Sequence, residues 1–311
     1  MSTALKLCLC MSNYELNKNF VLGGDIGGSH ITLALIDLSS RTILEDFVLR
    51  KRVDPHASAE IILENWCDSI RECWRKFNLV NTRIGFAMPG PFDYEAGVCL
   101  IKGFDKYESL YEMNIRSELS ERLNIAESEI AFRNDAEAFL EGEIFCGAAR
   151  GYNHAIGLTI GTGMGSACSH SGITVDAELS VTNYAGEIIE EFVSTRGLIR
   201  LYKEHNGLDV KDAMELAKLC SEDTKAVQAF KDFARYLAWL LNLFIVRENP
   251  EIVVIGGNIA NSWDIFMGDV QERLTYSLSR VPKIVKTVMG ENAALIGGAC
   301  CFKDVQERFI R

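Results

Sequence analysis

Two stretches of the chain, far apart in the sequence, begin with the same succession of short apolar segments and glycine turns. The first contains "FVLGGDIG", "ITLALID" and "TILEDFVL" from Phe20 onward, and the second contains "HAIGLTIGTG", "MGSACSHSG" and "ITVDAELS" from His154 onward. Runs of this length, bounded by turn residues, predict β-strands that follow one another as a meander. The repetition predicts a duplicated α/β chain.

Helix and strand signals alternate after each meander. The segment "ASAEIILENWCDSIRECWRKF" has apolar residues at helical spacing, and "RIGFAMPG" and "IAFRND" predict strands with helices between and after them. In the second half, "VKDAMELAKLC" and "TKAVQAFKDFARYLAWLLNLFIV" predict helices ahead of the apolar strand "EIVVIGG". Each half therefore predicts a lobe of the βββαβα type.

A chain of 311 residues exceeds what one hydrophobic core usually organises. We predict an N-terminal extension over 1–19, an N-terminal lobe over 20–133 and a C-terminal lobe over 134–311. The last helix, "ENAALIGGACCFKDV", closes the chain and is a candidate to pack back on the N-terminal lobe. Because no linker-like segment separates the halves, we expect the lobes to pack around a central cleft.

Charge and cysteine usage restrict the classes of partner. The formal net charge of -11 argues against nucleic acid and anionic membrane, which would repel a surface of that sign. The 10 cysteines form no pair with the two-residue spacing of a zinc ribbon, which favours free thiols in the cytoplasm. His154, His170 and His205 likewise show no ligand spacing and are interpreted as ordinary polar residues.

Three predicted strands end in glycine turns: "GGDIGGSH", "GTGMGS" and "IGGN". None is a dinucleotide fingerprint or a P-loop, and each glycine could serve the backbone alone. Two such turns opening two duplicated lobes can nevertheless present backbone N–H groups to one phosphate chain. The candidate nucleotide-binding residues are Asp25, Gly27, Gly28, Ser29, Gly161, Thr162, Gly163, Gly257 and Asn258. Asp25 is the candidate indirect ligand of Mg²⁺ bound with a triphosphate.

Six motifs taken in order resemble the ROK family of sugar kinases and repressors: "GGDIGGSHITLALID", "AMPGPFDYEAG", "NDAEAFLEGE", "GLTIGTGMGS", "YAGEI" and "VVIGGNI". The resemblance runs from about residue 20 to the C-terminus. It implies a two-lobed actin-like ATPase (ribonuclease H-like) fold, with ATP and Mg²⁺ bound between the lobes. It also implies phosphorylation of a hexose or amino-hexose.

The stretch "FRNDAEAF" follows a predicted strand, and its Asp135 has two interpretations. An acid at the start of a helix is commonly a cap. In ROK kinases, however, the matching aspartate is the general base on the sugar hydroxymethyl oxygen, which makes Asp135 the candidate catalytic residue. Asn134 resembles the family's sugar-binding amide, with a turn residue as the alternative. Gly90, in "MPGPFD", is expected to let the backbone approach the sugar ring.

The stretch "NYAGEIIEEF" contains Glu187, which matches the family's sugar-binding glutamate. Relatives usually have a histidine three residues further on, where this chain has Glu190. The cysteine-rich zinc loop is also missing from "EEFVSTRGLIRLY", so we expect no structural zinc site there. Glu190 is left open between a substrate-binding residue and a surface residue.

The leading functional hypothesis is an ATP-dependent hexose kinase of the glucokinase type that makes the 6-phosphate. N-acetylmannosamine or N-acetylglucosamine kinase is an alternative within the family. A catalytically weak sugar-binding or regulatory protein is an alternative of another class. ROK repressors carry a DNA-binding domain ahead of the kinase-like part, and about twenty residues before the first predicted strand are too few for one. We further expect a cytoplasmic homodimer whose partner is a small sugar.

Overall fold

The computed structural model describes residues 19–79 and 82–309. The predicted N-terminal extension lies outside the described residues except for Asn19. The chain divides into two compact units. The first runs to Cys146 and takes up the chain again from Asn292, and the second comprises Gly147–Glu291.

The strands and helices are numbered in chain order. Up to Cys146 they are β1 (Phe20–Ile26), β2 (His30–Asp37), β3 (Thr42–Arg52), α1 (Ala59–Phe77), β4 (Ile84–Met88), β5 (Phe92–Asp93), β6 (Val98–Cys99), α2 (Ile115–Leu123), β7 (Ile130–Asn134) and α3 (Asp135–Cys146). From Gly147 they are β8 (His154–Ile160), β9 (Met164–His170), β10 (Ile173–Asp176), β11 (Asn183–Tyr184), β12 (Glu187–Ile188), α4 (Thr195–Asn206), α5 (Ala213–Leu219), α6 (Thr224–Glu248), β13 (Ile252–Gly256), α7 (Trp263–Ser277), β14 (Lys283–Lys286), α8 (Asn292–Ala299) and α9 (Lys303–Phe309).

The main sheets of the two units have the same topology. The strand order is β3-β2-β1-β4-β7 in the first and β10-β9-β8-β13-β14 in the second. In each sheet the three meander strands are antiparallel, and the last two strands run parallel to the first strand of the meander. Short loops can join antiparallel neighbours, whereas parallel neighbours need crossovers, which here contain helices. The duplication predicted from the glycine turns is therefore present in the folded chain.

Each unit has its own apolar core. In the first, α1 buries Ile62, Trp66 and Ile70 in the cluster that contains the sheet residues Leu33 and Phe86. In the second, the 25-residue α6 supplies a buried stripe that packs with β8, β13 and α7. Within the described residues, no helix is both long and apolar enough to cross a bilayer.

Glycines bring α8 into close contact with α3, β1 and β4 within the first unit. A Cβ at Gly297 would overlap the carbonyl oxygen of Ala138 on α3, and a Cβ at Gly142 would overlap that of Ala293. The same helix packs on β1 and β4, where Gly85 faces the carbonyl oxygen of Gly298. Backbone-to-backbone packing of this kind leaves no room for a side chain at these glycines.

We expect Gly297→Ala to lower the free energy of unfolding by about 1–3 kcal/mol, because the added methyl group overpacks the contact between α8 and α3. Gly268→Ala on α7 is the matched control, since a Cβ at Gly268 meets nothing within 4 Å. That control should gain up to about 1 kcal/mol from helix propensity. Urea unfolding of both variants measures the difference. Equal stability of Gly297→Ala and the native chain would contradict the packing described for α8.

The described structure differs from the sequence expectations in three places. The boundary was predicted at 133/134, whereas α3 belongs to the first unit. The predicted single last helix is two helices, α8 and α9, which are separated by residues 300–302, and the Phe302 ring there packs 3.8 Å from the Arg83 guanidinium. The helices α4 and α7, the strand β14 and the two-residue strands β5, β6, β11 and β12 were not predicted. Both α8 and α9 pack in the first unit, as the sequence analysis allowed for the last helix.

Candidate active site

One edge of the first sheet gathers several of the predicted site residues. The strands β1, β4 and β7 are parallel neighbours, with Asp25 opposite Ala87 and Met88 opposite Asn134. Their carboxyl ends therefore lie at the same edge, which is where open α/β sheets bind ligands. Asp25, Gly90 and Asn134 are thus neighbours in the fold although they are far apart in the sequence.

The turn from β7 into α3 separates the roles of Asn134 and Asp135. Asn134 Oδ1 accepts hydrogen bonds from the backbone N–H groups of Ala136 at 2.8 Å and Glu137 at 3.3 Å. Those contacts make Asn134 the capping side chain of α3. Asp135 is the first residue of the helix, is exposed, and shares the Ala136 N–H at 2.8 Å. The cap interpretation considered for Asp135 thus applies mainly to its neighbour.

Tyr94 joins the loop after β4 to the end of β7. Its hydroxyl donates to the Met88 carbonyl oxygen at 3.0 Å and accepts from Asn134 Nδ2 at 3.3 Å. A Cβ at Gly90 would lie 3.3 Å from the same hydroxyl oxygen. Asp93 tethers this loop through the Ala96 N–H at 2.8 Å. Tyr94 was quoted within "MPGPFDYEAG" but was not chosen, because nothing in the sequence alone pairs it with Asn134.

A buried tyrosine fixes the first glycine turn. The Tyr107 hydroxyl donates to the Gly27 carbonyl oxygen at 2.6 Å. Burial, and secondly the charge of Asp25, raise the pKa of Tyr107, so that it stays a neutral donor. A Cβ at Gly28 would meet nothing within 4 Å, and Ser29 Oγ lies 2.8 Å from His30 Nδ1. The Gly27–Gly28 backbone thus lies in a fixed turn with open space beside it.

The second glycine turn joins β8 to β9 and is connected to α4. Gly161 N–H donates to the Gly163 carbonyl oxygen at 2.9 Å, and Thr195 N–H donates to the Gly161 carbonyl oxygen at 2.8 Å. Ser194 caps α4 by accepting from Gly197 N–H at 3.1 Å. The N-terminus of α4 therefore lies beside this turn, as in many phosphate-binding sites.

Glu190 is bonded to this turn. Its Oε2 accepts from Met164 N–H at 2.8 Å and lies 2.7 Å from where a Cβ at Gly163 would stand. Its Oε1 accepts from Arg196 Nη2 at 2.8 Å, and the Glu190 side chain is 22% exposed. The carboxylate thus anchors the glycine turn in the described structure. Its candidate role as a sugar ligand stays a prediction.

Glu187 lies on a tight hairpin formed by β11 and β12. Ala185 and Gly186, between the two strands, have φ values of 53° and 96°, as in the type I′ turns that suit such hairpins. Glu187 Oε2 accepts from Arg200 Nη1 at 2.7 Å, and its side chain is 52% exposed. The carboxylate predicted to read sugar hydroxyls is therefore ion-paired.

The third glycine turn follows β13 and contains Gly257 and Asn258. Gly257 has a φ of 82°, and a Cβ there would overlap the carbonyl oxygen of Ile160. Both constraints require glycine for backbone reasons, which was the alternative to phosphate binding. Asn258 is exposed and begins a short 3-10 turn.

A cavity of about 640 Å³ lies within the second unit. Its lining residues come from the glycine turns, α4, α5 and the turn after β13, and they are Thr162, Thr195, Arg196, Ile199, Lys211, Asp212, Ala213, Met214, Ala217, Lys218, Asn258, Asn261 and Ser262. Of the predicted nucleotide-binding residues, the cavity brings together Thr162 and Asn258. The volume is in the range of small-molecule sites.

Two features of this cavity favour an anionic ligand with polar groups. Arg196, Lys211 and Lys218 contribute positive charge to its lining, against the single lining acid Asp212, although Arg196 is also paired with Glu190. Thr195 Oγ1 is buried without a hydrogen-bond partner, a condition that a ligand atom would relieve. The sequence analysis missed Thr195 and Arg196 because it predicted no helix over α4, and it missed Lys211 and Lys218 because their predicted helix carried no site motif. Ser194 as a cap, Leu198, Leu201 and Tyr202 at helical spacing, and Gly207 after the end were the available signals.

The family model described as ROK family matches residues 21–181 and 182–305. A glucokinase from Thermotoga maritima is 24% identical over 328 residues, which cover 91% of this chain and 97% of the relative. An N-acetyl-D-glucosamine kinase from Salmonella paratyphi B is 25% identical over 316 residues, which cover 89% of this chain and 97% of the relative.

Solved structures share the fold. A ROK hexokinase from Thermus thermophilus superposes with a TM-score of 0.77 at 23% identity, covering 93% of this chain and 99% of that chain. A ROK family glucokinase from Streptomyces griseus, in complex with glucose and AMPPNP, has a TM-score of 0.73 at 19% identity. The match covers 92% of this chain and 99% of that chain. These structures confirm the predicted actin-like ATPase fold class.

A regulator is also among the similar structures. A ROK family transcriptional regulator, a homologue of the E. coli MLC protein, has a TM-score of 0.77 at 17% identity, covering 94% of this chain and 80% of that chain. The fold by itself therefore occurs in both sugar kinases and regulators.

Proposed function

Because the chain belongs to the ROK family, we propose that it is an ATP-dependent sugar kinase that transfers a phosphoryl group to the 6-hydroxyl of a hexose. The curated relatives are sugar kinases and are matched over nearly their whole length, which supports a kinase rather than a regulator. Glucose is the first candidate substrate, since one of these relatives is a glucokinase.

The observation that carries the proposal is the turn from β7 into α3. Asn134 caps the helix, so that Asp135 keeps an exposed carboxylate at the carboxyl edge of the first sheet. In phosphoryl transfer, the attacking hydroxyl must lose its proton as its oxygen bonds to phosphorus. Asp135 would accept that proton, and Asn134 and the Gly90 backbone would orient the sugar.

The cavity of the second unit fits the nucleotide. Its cationic lining suits phosphate, and the buried Thr195 Oγ1 offers an unused hydrogen-bonding atom. We propose that Thr162, Thr195, Arg196 and Asn258 contact the nucleotide, with Gly161 and Gly163 supplying backbone N–H groups beside the N-terminus of α4. When bound, ATP supplies the phosphoryl group.

Asp25, with Gly27, Gly28 and Ser29, is proposed for the phosphate and metal end of the reaction. Mg²⁺ in such enzymes is held largely by phosphate and water with one or two protein carboxylates, and Asp25 is a carboxylate at the end of β1. The ion would neutralise phosphate charge. The protein would contribute the glycine turn after β1, which the Tyr107 hydroxyl fixes through its hydrogen bond to the Gly27 carbonyl oxygen.

The second candidate function is a catalytically weak sugar-binding or regulatory protein. Both Glu187 and Glu190 are engaged by arginines, and Glu190 also holds the glycine turn. If Glu187 and Glu190 keep these contacts when a sugar is bound, their carboxylates are less available to accept hydrogen bonds from the ring hydroxyls. Sugar recognition is then weaker than in a kinase whose sugar-binding side chains are unpaired. An N-acetylmannosamine or N-acetylglucosamine kinase remains the alternative within the enzyme class.

A coupled assay of ADP release distinguishes these proposals. Glucose, fructose, mannose, N-acetylglucosamine and N-acetylmannosamine are each supplied with ATP and Mg²⁺, and calorimetry measures sugar binding in parallel. Turnover with glucose supports the leading proposal, and turnover only with the amino sugars selects the alternative kinase. Binding without turnover selects the sugar-binding protein.

We expect Ala217→Trp to raise the KM for ATP at least about tenfold, because the indole would occupy part of the cavity that Ala217 lines. The KM for the sugar should change little, since the proposed base and amide belong to the first unit. Ala217→Ser, which barely changes the side-chain volume, is the control. Steady-state kinetics with each substrate varied separately measures both constants, and an unchanged KM for ATP would count against nucleotide binding in this cavity.

The remaining expectations are parts of the same proposal. We propose that the protein is cytoplasmic, because the described cysteines are free thiols, which a reducing compartment preserves. The homodimer stays a prediction. The net charge of -11 supports a small sugar rather than nucleic acid or membrane as the partner.

A further inference from the structure

The strand β9 and the end of α6 bring a cysteine, a histidine and a glutamate together in the second unit. Cys168 and His170 are two residues apart on β9, so their side chains lie on the same face of the sheet. Glu248 is the last residue of α6. One ligand atom from each of the three lies within 4.8 Å of the other two.

Two of the three side chains are already in hydrogen-bonding contact. His170 Nε2 lies 2.9 Å from Glu248 Oε2, and one ligand atom of Cys168 lies within 4.8 Å of both partners. Arg247 Nε donates to the other oxygen, Oε1, so that Oε2 is the oxygen that faces the histidine. Cys168 is 6% exposed, whereas the side chains of His170 and Glu248 are 43% and 16% exposed. The cluster therefore has a buried end and an end accessible to solvent.

We propose that Cys168, His170 and Glu248 form a zinc site. A thiolate, an imidazole and a carboxylate are the three side-chain ligands that Zn²⁺ uses, and the sulfur and nitrogen donors disfavour Mg²⁺ and Ca²⁺. Ligand atoms around a tetrahedral zinc are separated by about 3.3–3.8 Å, so side-chain shifts of about 1 Å complete the geometry. A water molecule takes the fourth position, on the side where His170 is exposed.

Zinc binding replaces the contact between His170 and Glu248 by metal bonds and releases the proton of the Cys168 thiol. Burial, and secondly the charge of Glu248, raise the pKa of Cys168 to about 11, so the thiol is protonated at neutral pH until the metal displaces its proton. The bound ion would connect β9 to the end of α6. This site is separate from the zinc loop expected to be missing after Glu187, and it gives His170 a role that its sequence context did not indicate.

Cobalt titration of the full chain, stripped of metal with a chelator, tests the proposal. Co²⁺ should bind with a stoichiometry of one, with a thiolate-to-cobalt charge-transfer band and the visible bands of tetrahedral cobalt, and Zn²⁺ should displace it. Zn²⁺ should also raise the melting temperature in a concentration-dependent way. Cys168→Ser should abolish the charge-transfer band, and His170→Gln should weaken metal affinity at least about a hundredfold.

Two controls lie in the same unit. Cys220→Ser removes a partly buried free thiol outside the cluster, and His205→Gln breaks a histidine–carboxylate pair with Asp232 at 2.8 Å, also outside the cluster. Both should bind cobalt like the native chain. Absence of a charge-transfer band in the native chain, or its persistence in Cys168→Ser, would overturn the proposal. Circular dichroism verifies folding, and the partly exposed His170 provides a test even if the cysteine variant fails to fold.

Discussion

Asp135→Asn is expected to lower kcat by about 10²-fold or more, because an amide cannot accept the proton of the attacking hydroxyl. The fold should tolerate the change. Asn134 remains the cap of α3, and the amide oxygen of the new residue can still accept the Ala136 N–H. Nucleotide affinity should stay within about twofold, since every residue lining the cavity lies in the second unit. Steady-state kinetics and calorimetry with a non-hydrolysable ATP analogue measure the two effects.

Asp264→Asn is the matched control for this variant. Asp264 is also an exposed acid in the first turn of a helix, α7, and is not among the proposed site residues. It should keep native kinetics. A variant at Asp135 that retains near-native kcat would remove Asp135 from the catalytic role, whatever the chain phosphorylates.

Arg133→Met is expected to lower the free energy of unfolding by about 3–5 kcal/mol, the largest stability effect predicted here. Arg133 Nη1 lies 3.0 Å from Glu141 Oε1, and the two side chains are 11% and 0% exposed. Neither carboxylate oxygen of Glu141 has a hydrogen bond of good geometry, so the ion pair is its main compensation. Removing the arginine would leave a buried charge without a counterion. Urea unfolding measures the loss, and hydrogen exchange locates it in the first unit.

The double variant Arg133→Met/Glu141→Leu tests the cause. Replacing both members of a buried ion pair by apolar side chains is often neutral, so the double variant should recover most of the lost stability. Lys203→Met is the surface control. Its partner Asp209 is 2.9 Å away, but both side chains are more than half exposed, and its loss should cost about 1 kcal/mol or less. A double variant as unstable as Arg133→Met would show that the arginine stabilises the unit in another way.

The elements that were predicted from the sequence are those with a strong local pattern. The meander strands β1, β2 and β3 contain short apolar segments between turn residues, the strand β13 is wholly apolar, and α1 and α6 have long helical stripes. The helix α4 was not predicted, because its apolar stripe of Leu198, Leu201 and Tyr202 is short. The break between α8 and α9 has no proline signal, and Phe302, at the break, packs against Arg83, which is distant in the sequence.

Some residues of the candidate site were likewise predicted from the sequence, and others were not. The motif order predicted Asn134, Asp135 and the glycine turns as site residues, and the parallel pairing of β4 with β7 brings Gly90 and Asn134 to one edge of the sheet. The partners that hold them, Tyr94 and Tyr107, come from loops distant in sequence, and no local pattern connects them to their acceptors. The same holds for the contact of Glu190 with Met164 N–H. Such contacts depend on where the backbone of another segment lies.

By itself, the sequence determined the duplicated α/β architecture and the family, because strand periodicity, glycine turns and motif order are properties of contiguous segments. Only the tertiary structure decided that Asn134 rather than Asp135 is the main cap of α3, that Glu187 and Glu190 are engaged by arginines, and that Cys168, His170 and Glu248 meet. Each of these depends on distances between side chains on different elements or on the orientation of one turn. Such distances are set by packing, and residue spacing in the sequence does not contain them.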